Sequence, residues 1–249
     1  MITDPAFYVV AVIAVILLGL GKGGFAGIGA LSLPLLALAI SPIKGAAIML
    51  PILIVQDVVS VSAFWKKWSW PNLRILFPSS FLGIFVAYLL AAYISEAAFE
   101  LALGIISFVF GLRNLVAKKE VPPRTPSALE GWFWGWMSGF TSMISNTGAP
   151  PLQIYLTPQK LPRDIFVGTT SLFFAVINWV KVPPFFLLGQ FTQENLTTSL
   201  VLMPLAIGST FLGVWLVKRV PTERFYTIIF CLMLLVGVKL IYDGAAGLI

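Results

Sequence analysis

An apolar run from about Ala6 to Ile40 is interrupted near its middle by Gly21-Lys22-Gly23-Gly24-Phe25-Ala26-Gly27-Ile28-Gly29. As one α-helix the run would be roughly 50 Å long at 1.5 Å per residue, against a hydrocarbon core about 30 Å thick, so it is not a single crossing. Five glycines and a lysine mark where the helix opens and frees backbone amides at membrane depth. Lipid offers those amides no hydrogen-bond partner, and such backbone persists only when buried in protein or lining a polar cavity. The stretch is therefore a candidate binding site, with Lys22, Gly23, Gly24, Gly27 and Gly29 as its candidate residues.

Composition sets the class. Of 249 residues, 59% are hydrophobic and only 10% charged, and the mean hydropathy is +0.96. These values describe a polytopic membrane protein. Connections between apolar runs are too short to hold a soluble domain. The pI is near 9.6, but the 16 Lys and Arg residues stand beside the apolar runs instead of forming one basic face, which sets nucleic acid aside. With no His and a single cysteine, Cys231, the chain has no imidazole or paired thiolates for metal sites, His-based catalysis or an internal disulfide. No cofactor is expected, and Cys231 is expected to pack within an apolar helix. The first run lacks a basic leader and continues past Lys22, so it reads as a membrane element and not as a cleaved signal.

The chain repeats itself. Residues 1–117 form a first unit, with an opener at 6–40 and apolar segments at 44–65, 73–94 and 97–117. A Pro-rich, charged linker follows at 118–128. Residues 129–249 repeat the plan with an opener at 130–157 and segments at 164–189, 196–217 and 224–243. Phe81-Leu82-Gly83 recurs as Phe211-Leu212-Gly213, the Phe99–Gly111 helix as Phe225–Gly237, and the segment from Pro42 to Asp57 as that from Pro162 to Asn178. Gly24-Phe25 through Pro34 has its counterpart in Gly139-Phe140 through Pro150-Pro151. Four correspondences in one order indicate a tandem duplication.

Basic residues give the orientation. Lys66, Lys67 and Arg74 flank one connection of the first unit and Glu96 and Glu100 the next, whereas the matching connections of the second carry Glu194 and then Lys218, Arg219 and Arg224. The signs exchange, so the positive-inside rule predicts two inverted repeats, each a broken or re-entrant opener followed by three transmembrane helices in an all-α fold. Inversion needs an odd number of net crossings per unit, so each opener must enter and return on one side. Trp65, Trp68, Trp70, Trp132, Trp134 and Trp136 read as interfacial anchors.

The second opener contains Ser142, Ser145, Asn146, Thr147 and Gly148 ahead of Pro150-Pro151, which suits the start of a half-helix. Two half-helix N-termini near mid-membrane would favour an anion, each contributing up to about 2 kcal/mol. An unpaired charge there costs roughly 3 kcal/mol, so hydroxyl and amide donors and the Lys22 cation are needed as well. Asp57, with Gln56 beside it, lies near the middle of its segment, as does its repeat mate Asn178. Asp57 reads equally as a proton carrier, a counter-ion to Lys22 or a structural hydrogen-bonding group. Lys181 faces the same cavity or snorkels outward, the outward course being preferred. A Ser142–Lys22 pair is the one nucleophile arrangement these residues could compose, and no enzyme is expected.

The motifs GxGGFxGxGALSLPLL at 21–36 and SGFTSMISNTGAPPLQIYL at 138–156, on duplicated openers in a chain of this size, resemble the TauE/SafE sulfite-exporter family over essentially the whole length. The second motif has Ser145-Asn146-Thr147 where glycines are expected. The resemblance implies a multi-pass permease of the bacterial inner membrane that exports small sulfur-containing anions such as sulfite or organosulfonates. A passive anion channel and a permease for other small organic acids stand as alternatives. The expected partners are a small anionic substrate and membrane lipid; a homodimer stays open.

Overall fold

The structure, a computed structural model, describes residues 2–25, 28–91, 93–116, 125, 127–217, 219 and 223–248. Gly27, most of the linker and Lys218 fall outside these residues. All regular structure among the described residues is helical: α1 (Pro5–Lys22), a 3-10 turn (Ile28–Leu31), α2 (Ser32–Ala37), α3 (Pro42–Ala63), α4 (Trp70–Ala91), α5 (Glu96–Val116), α6 (Ala128–Ser145), α7 (Ala149–Leu156), a second 3-10 turn (Thr157–Gln159), α8 (Arg163–Leu187), α9 (Gln193–Val217) and α10 (Glu223–Ala246). Six of them, α1, α3, α4, α5 from Ala97, α8 and α9, are long and apolar enough to cross a membrane. A helix satisfies its own backbone, as lipid demands.

Local chemistry sets the helix starts. Asp4 accepts from the Ala6 amide ahead of Pro5, and Ser41 caps α3 ahead of Pro42. Ser127 and Glu130 form a reciprocal capping box on α6. Helices α3 and α4 therefore begin two or three residues before the apolar runs do.

The bundle has two distinguishable ends. At one, which we call end A, the starts of α1, α3 and α9 meet: the Ile2 amide donates to Thr198 Oγ1 (3.1 Å) and Lys44 pairs with Glu194 (2.8 Å). At the other, end B, Lys67 at the exit of α3 pairs with Asp164 at the entry of α8 (2.5 Å), and Asn72 at the entry of α4 bonds Gln159 after α7 (3.0 Å). The first opener is a hairpin from end A, since Phe7 near its entry shares an apolar cluster with Leu36 near the end of α2. The second is a hairpin from end B: Gly131 near the start of α6 lies against the Tyr155 ring near the end of α7.

Glycines bring the helices together. Gly104 and Gly237 of α5 and α10 face each other, and Gly111 lies against Phe230, so these two helices run antiparallel. Helix α3 also runs antiparallel to α8, with Asp57 bonded to Asn178 and Lys67 against Gly168. The pairs α4–α6 and α1–α9 are parallel: a Cβ on Gly139 would overlap the Ser80 carbonyl, and one on Gly23 would overlap Gly213. Close backbone approach through small residues is how membrane helices gain packing energy without a hydrophobic drive.

Polarity is inside out relative to a soluble protein. Val9, Phe85, Leu89, Phe211 and Leu235 point outward, while Gln56, Asp57, Asn178 and Lys181 are buried. Cys231 is exposed on α10, so its apolar side chain faces outward and does not take the packing role expected of it. Trp65, Trp70 and Trp132 are exposed at helix ends, as interfacial side chains are.

Candidate functional site

The two openers break where glycine and proline dictate. Helix α1 stops at Lys22, with the Gly23 amide bonding back to the Gly19 and Gly21 carbonyls. Gly24 follows at φ +122°, a conformation side chains rarely adopt, and the Phe25 amide closes the turn on the Leu20 carbonyl (3.2 Å). In the second opener Asn146 ends α6 in the left-handed region (φ 51°), a position asparagine tolerates. Helix α7 begins at Ala149 with Gly148 as its cap.

The tips do not meet at mid-depth; they pass each other. At 1.5 Å per residue the 18 residues of α1, and likewise of α6, run about 27 Å before the break, nearly the thickness of the hydrocarbon core. Gly24 accordingly lies against Val217 and Val167 near end B, while Asn146 Nδ2 donates to the Ala46 carbonyl (3.0 Å) near end A. A cavity occupies the overlap. Lys22 and Gly29 of the first hairpin, Ser142, Asn146 and Ala149 of the second, and Phe174 and Asn178 of α8 line it.

A line of buried polar groups runs between the tips. Lys22 Nζ lies 2.5 Å from Asp57 Oδ1 and 4.8 Å from the centre of the Phe174 ring. Asn178 Nδ2 donates to Asp57 Oδ2 (2.6 Å), so both carboxylate oxygens are engaged. One helical turn on, Lys181 Nζ donates to the Ser142 carbonyl (3.1 Å), Ser142 Oγ (3.1 Å) and Asn146 Oδ1 (2.6 Å). Its residue is fully buried. The last turn of α6 is the negative end of that helix, where a cation is favoured. Lys181 therefore turns inward, against the outward course preferred from sequence. Helix α8 continues through Pro183 and Pro184 to Leu187, so Lys181 is too far from a helix end to reach the interface. The signal that would have found it is its spacing, one turn from Asn178 on the same helix face.

The other sequence candidates take different places. Gln56 turns to the Ala206 carbonyl on α9 (3.4 Å), leaving its Oε1 buried without a partner among the described residues. The Ser145 and Thr147 hydroxyls bond each other, and Ser145 also donates to the Thr141 carbonyl (3.0 Å). The Gly148 carbonyl accepts from Ser138 Oγ (2.6 Å). Gly23 and Gly24 serve close packing against α9. Asp57 reaches the cavity only through Lys22 and Asn178, and it sits six residues before the end of α3, not at its middle. The helix-end donors are also fewer than expected. Pro150 and Pro151 carry no N–H, so Ala149 supplies the first-turn amide of α7 that remains.

Chemically, the cavity offers the Lys22 amine with amide and hydroxyl donors between walls that include Leu18, Leu53 and Leu152, and Asp57 and Lys181 stand behind its lining. Among the described residues no group of three or more His, Cys, Asp or Glu is placed to hold a metal ion. In comparisons with known proteins, a family model described as "Sulfite exporter TauE/SafE" matches residues 11–240. No curated protein and no solved structure matches the chain.

Proposed function

The chain belongs to the sulfite exporter TauE/SafE family, membrane transporters and not enzymes, and from that premise we propose that it carries sulfite or a related small organosulfonate through the cavity between its two hairpins. The substrate binds between the tips, and rocking of one half against the other exposes it to each membrane face in turn. The observation that carries this reading is the polar set Lys22, Ser142, Asn146 and Asn178 lining one cavity, with the Asp57 carboxylate bonded to Lys22 and Asn178 behind it. Burying charge at that depth costs roughly 3 kcal/mol per group, a cost that function must justify. Lys22, Ser142, Asn146 and Asn178 supply donors to the anion's oxygens, and Gly29 lets the backbone approach. Sulfite efflux from proteoliposomes containing the purified protein tests the reading directly: efflux above that of empty liposomes, competed by other sulfur oxyanions, is expected. Its absence in folded protein would sink the proposal.

We also read the two halves as inverted repeats. The antiparallel course of α3 against α8 and of α5 against α10 supports it, as does the entry of the hairpins from opposite ends. Charge then orients the whole: Lys66, Lys67, Arg74, Lys160, Arg163 and Arg219 lie toward end B, which is cytoplasmic on the positive-inside rule. A topology reporter inserted beside Arg219 is expected to read cytoplasmic, and one at Gln190 external. An external signal at Arg219 would overturn the inverted arrangement.

A further inference from the structure

We infer that a second cavity is the end-A half of the anion path, and that the last turn of α6 is the gate between the two cavities. Ile43, Ala46, Ala91, Phe185, Leu188 and Gln190 are among the residues that line it. That gate presupposes the polar cavity as the anion site and adds how an anion leaves it toward end A.

The two cavities lie on opposite sides of one helical turn. Ser142 and Asn146 of α6 line the polar cavity, whereas Met143 and Ile144 between them line the second. Helix α8 passes the same three layers along one face: Asn178 lines the polar cavity, Lys181 bonds Ser142 and Asn146, and Phe185 lines the second cavity. Helix α3 does likewise, with Leu53 at the polar cavity and Ala46, two turns earlier, at the second. One side chain ties the turn to both neighbours: Asn146 Nδ2 donates to the Ala46 carbonyl (3.0 Å) and its Oδ1 accepts from Lys181 (2.6 Å).

Position fixes the direction. Ile43 near the start of α3, Ala91 at the end of α4 and Leu188 just past α8 place the second cavity at end A. The partly exposed lining of the polar cavity includes Lys22, Gln153 and Thr170, which lie toward end B. An anion in the polar cavity therefore finds its way to end A closed by the α6 turn. Apart from Gln190, the described residues that line the second cavity are apolar, which suits a passage and not a second resting site. Helix α3 is loosened beside the latch, because Pro51 leaves the Ala47 carbonyl without its helical N–H.

In a Cys231→Ser background, Met143→Cys and Ala46→Cys put one thiol on the gate and one on α3, both at the second cavity. Dibromobimane joins two such thiols through thioether bonds that sulfite does not cleave, and its fluorescence reports the bridged protein. Bridging is expected to lower sulfite efflux from proteoliposomes at least about 20-fold, since the gate no longer moves. Sulfite binding to the bridged, purified full chain in detergent, measured by calorimetry, is expected to stay within about twofold of the wild type, because the polar cavity is reached from end B. Ala91→Trp fills the second cavity without cross-linking and is expected to cut efflux at least about tenfold, again with binding retained. Undiminished efflux from the bridged protein overturns the gate, and undiminished efflux with Ala91→Trp overturns the path; if Ala91→Trp does not fold, the bridged protein decides alone. Loss of binding on bridging, in a protein that binds sulfite before it, places the turn within the site and also overturns the gate. If the wild type binds no sulfite, the anion site itself is refuted, a different failure from a bridged protein that binds sulfite and still transports it.

Discussion

Replacing Lys181 with methionine is expected to reduce sulfite efflux from proteoliposomes about 100-fold while leaving the melting temperature of the purified protein within a few degrees of the wild type. The efflux loss follows from removing the buried side chain that fixes Ser142 and Asn146, both of which line the cavity: donors misplaced by about 1 Å cost roughly 3 kcal/mol, or two decades in rate. Stability changes little because two terms offset. Methionine keeps the buried stem packed and removes the cost of burying an amino group. The acceptors it leaves behind are partly satisfied, since the Ser142 carbonyl still receives the Asn146 amide (3.0 Å). If Lys181 serves only to cap α6, the opposite pattern should appear: a lowered melting temperature and full efflux per folded molecule.

That prediction concerns a residue whose orientation the sequence obscured. What was legible came from patterns long enough to average over local error. The apolar periods, the doubled motifs and the sign exchange of basic residues gave six apolar segments and two broken openers, and helices occupy all of them among the described residues. What was not legible depended on which way single side chains turn. Lys181 stands just before Pro183-Pro184 near the end of the 164–189 segment, where a lysine can snorkel outward; the helix runs on to Leu187 and the side chain turns inward. Ser145 and Thr147 read as donors to a ligand, yet Ser145 donates to the Thr141 carbonyl and Thr147 to Ser145. Two adjacent hydroxyls at a helix end commonly satisfy one another or the backbone, and no sequence pattern tells that use from binding.

Depth was the second thing the sequence misplaced. Glycine positions mark where α1 opens, but how far it has travelled depends on where it began, and Asp4 and Pro5 start it at the very edge of the bundle. A helix of that length crosses almost completely before it turns. With the tips overlapping along the membrane normal, the cavity that we propose as the anion site lies within the protein, and the Lys22–Asp57–Asn178 line adjoins it. Each hairpin tip then abuts the opposite end of the bundle, Gly24 by Val217 and Asn146 by Ala46.

The Lys22–Asp57 pair yields the second large effect, an asymmetry in stability. Lys22→Met strands a carboxylate whose side chain is only 3% exposed, leaving Asn178 as its one remaining hydrogen-bond partner among the described residues, and is expected to destabilise the folded protein by about 3–5 kcal/mol. Asp57→Asn is expected to cost much less. The asparagine carbonyl can still accept from Lys22, and the Phe174 ring at 4.8 Å continues to face the ammonium. Combining the two removes both charges, and the double variant should recover to within about 1 kcal/mol of the wild type, as matched apolar or neutral replacements of buried pairs do. Unfolding in mixed micelles, followed by tryptophan fluorescence, measures the cycle. A Lys22→Met protein no less stable than Asp57→Asn would mean that the pair is not held as buried ions. Anion addition supplies the link to transport: in Asp57→Asn the freed Lys22 ammonium lacks its internal carboxylate, so a saturating sulfur oxyanion should raise the melting temperature of this variant more than that of the wild type. An equal rise in both would place the bound anion away from Lys22.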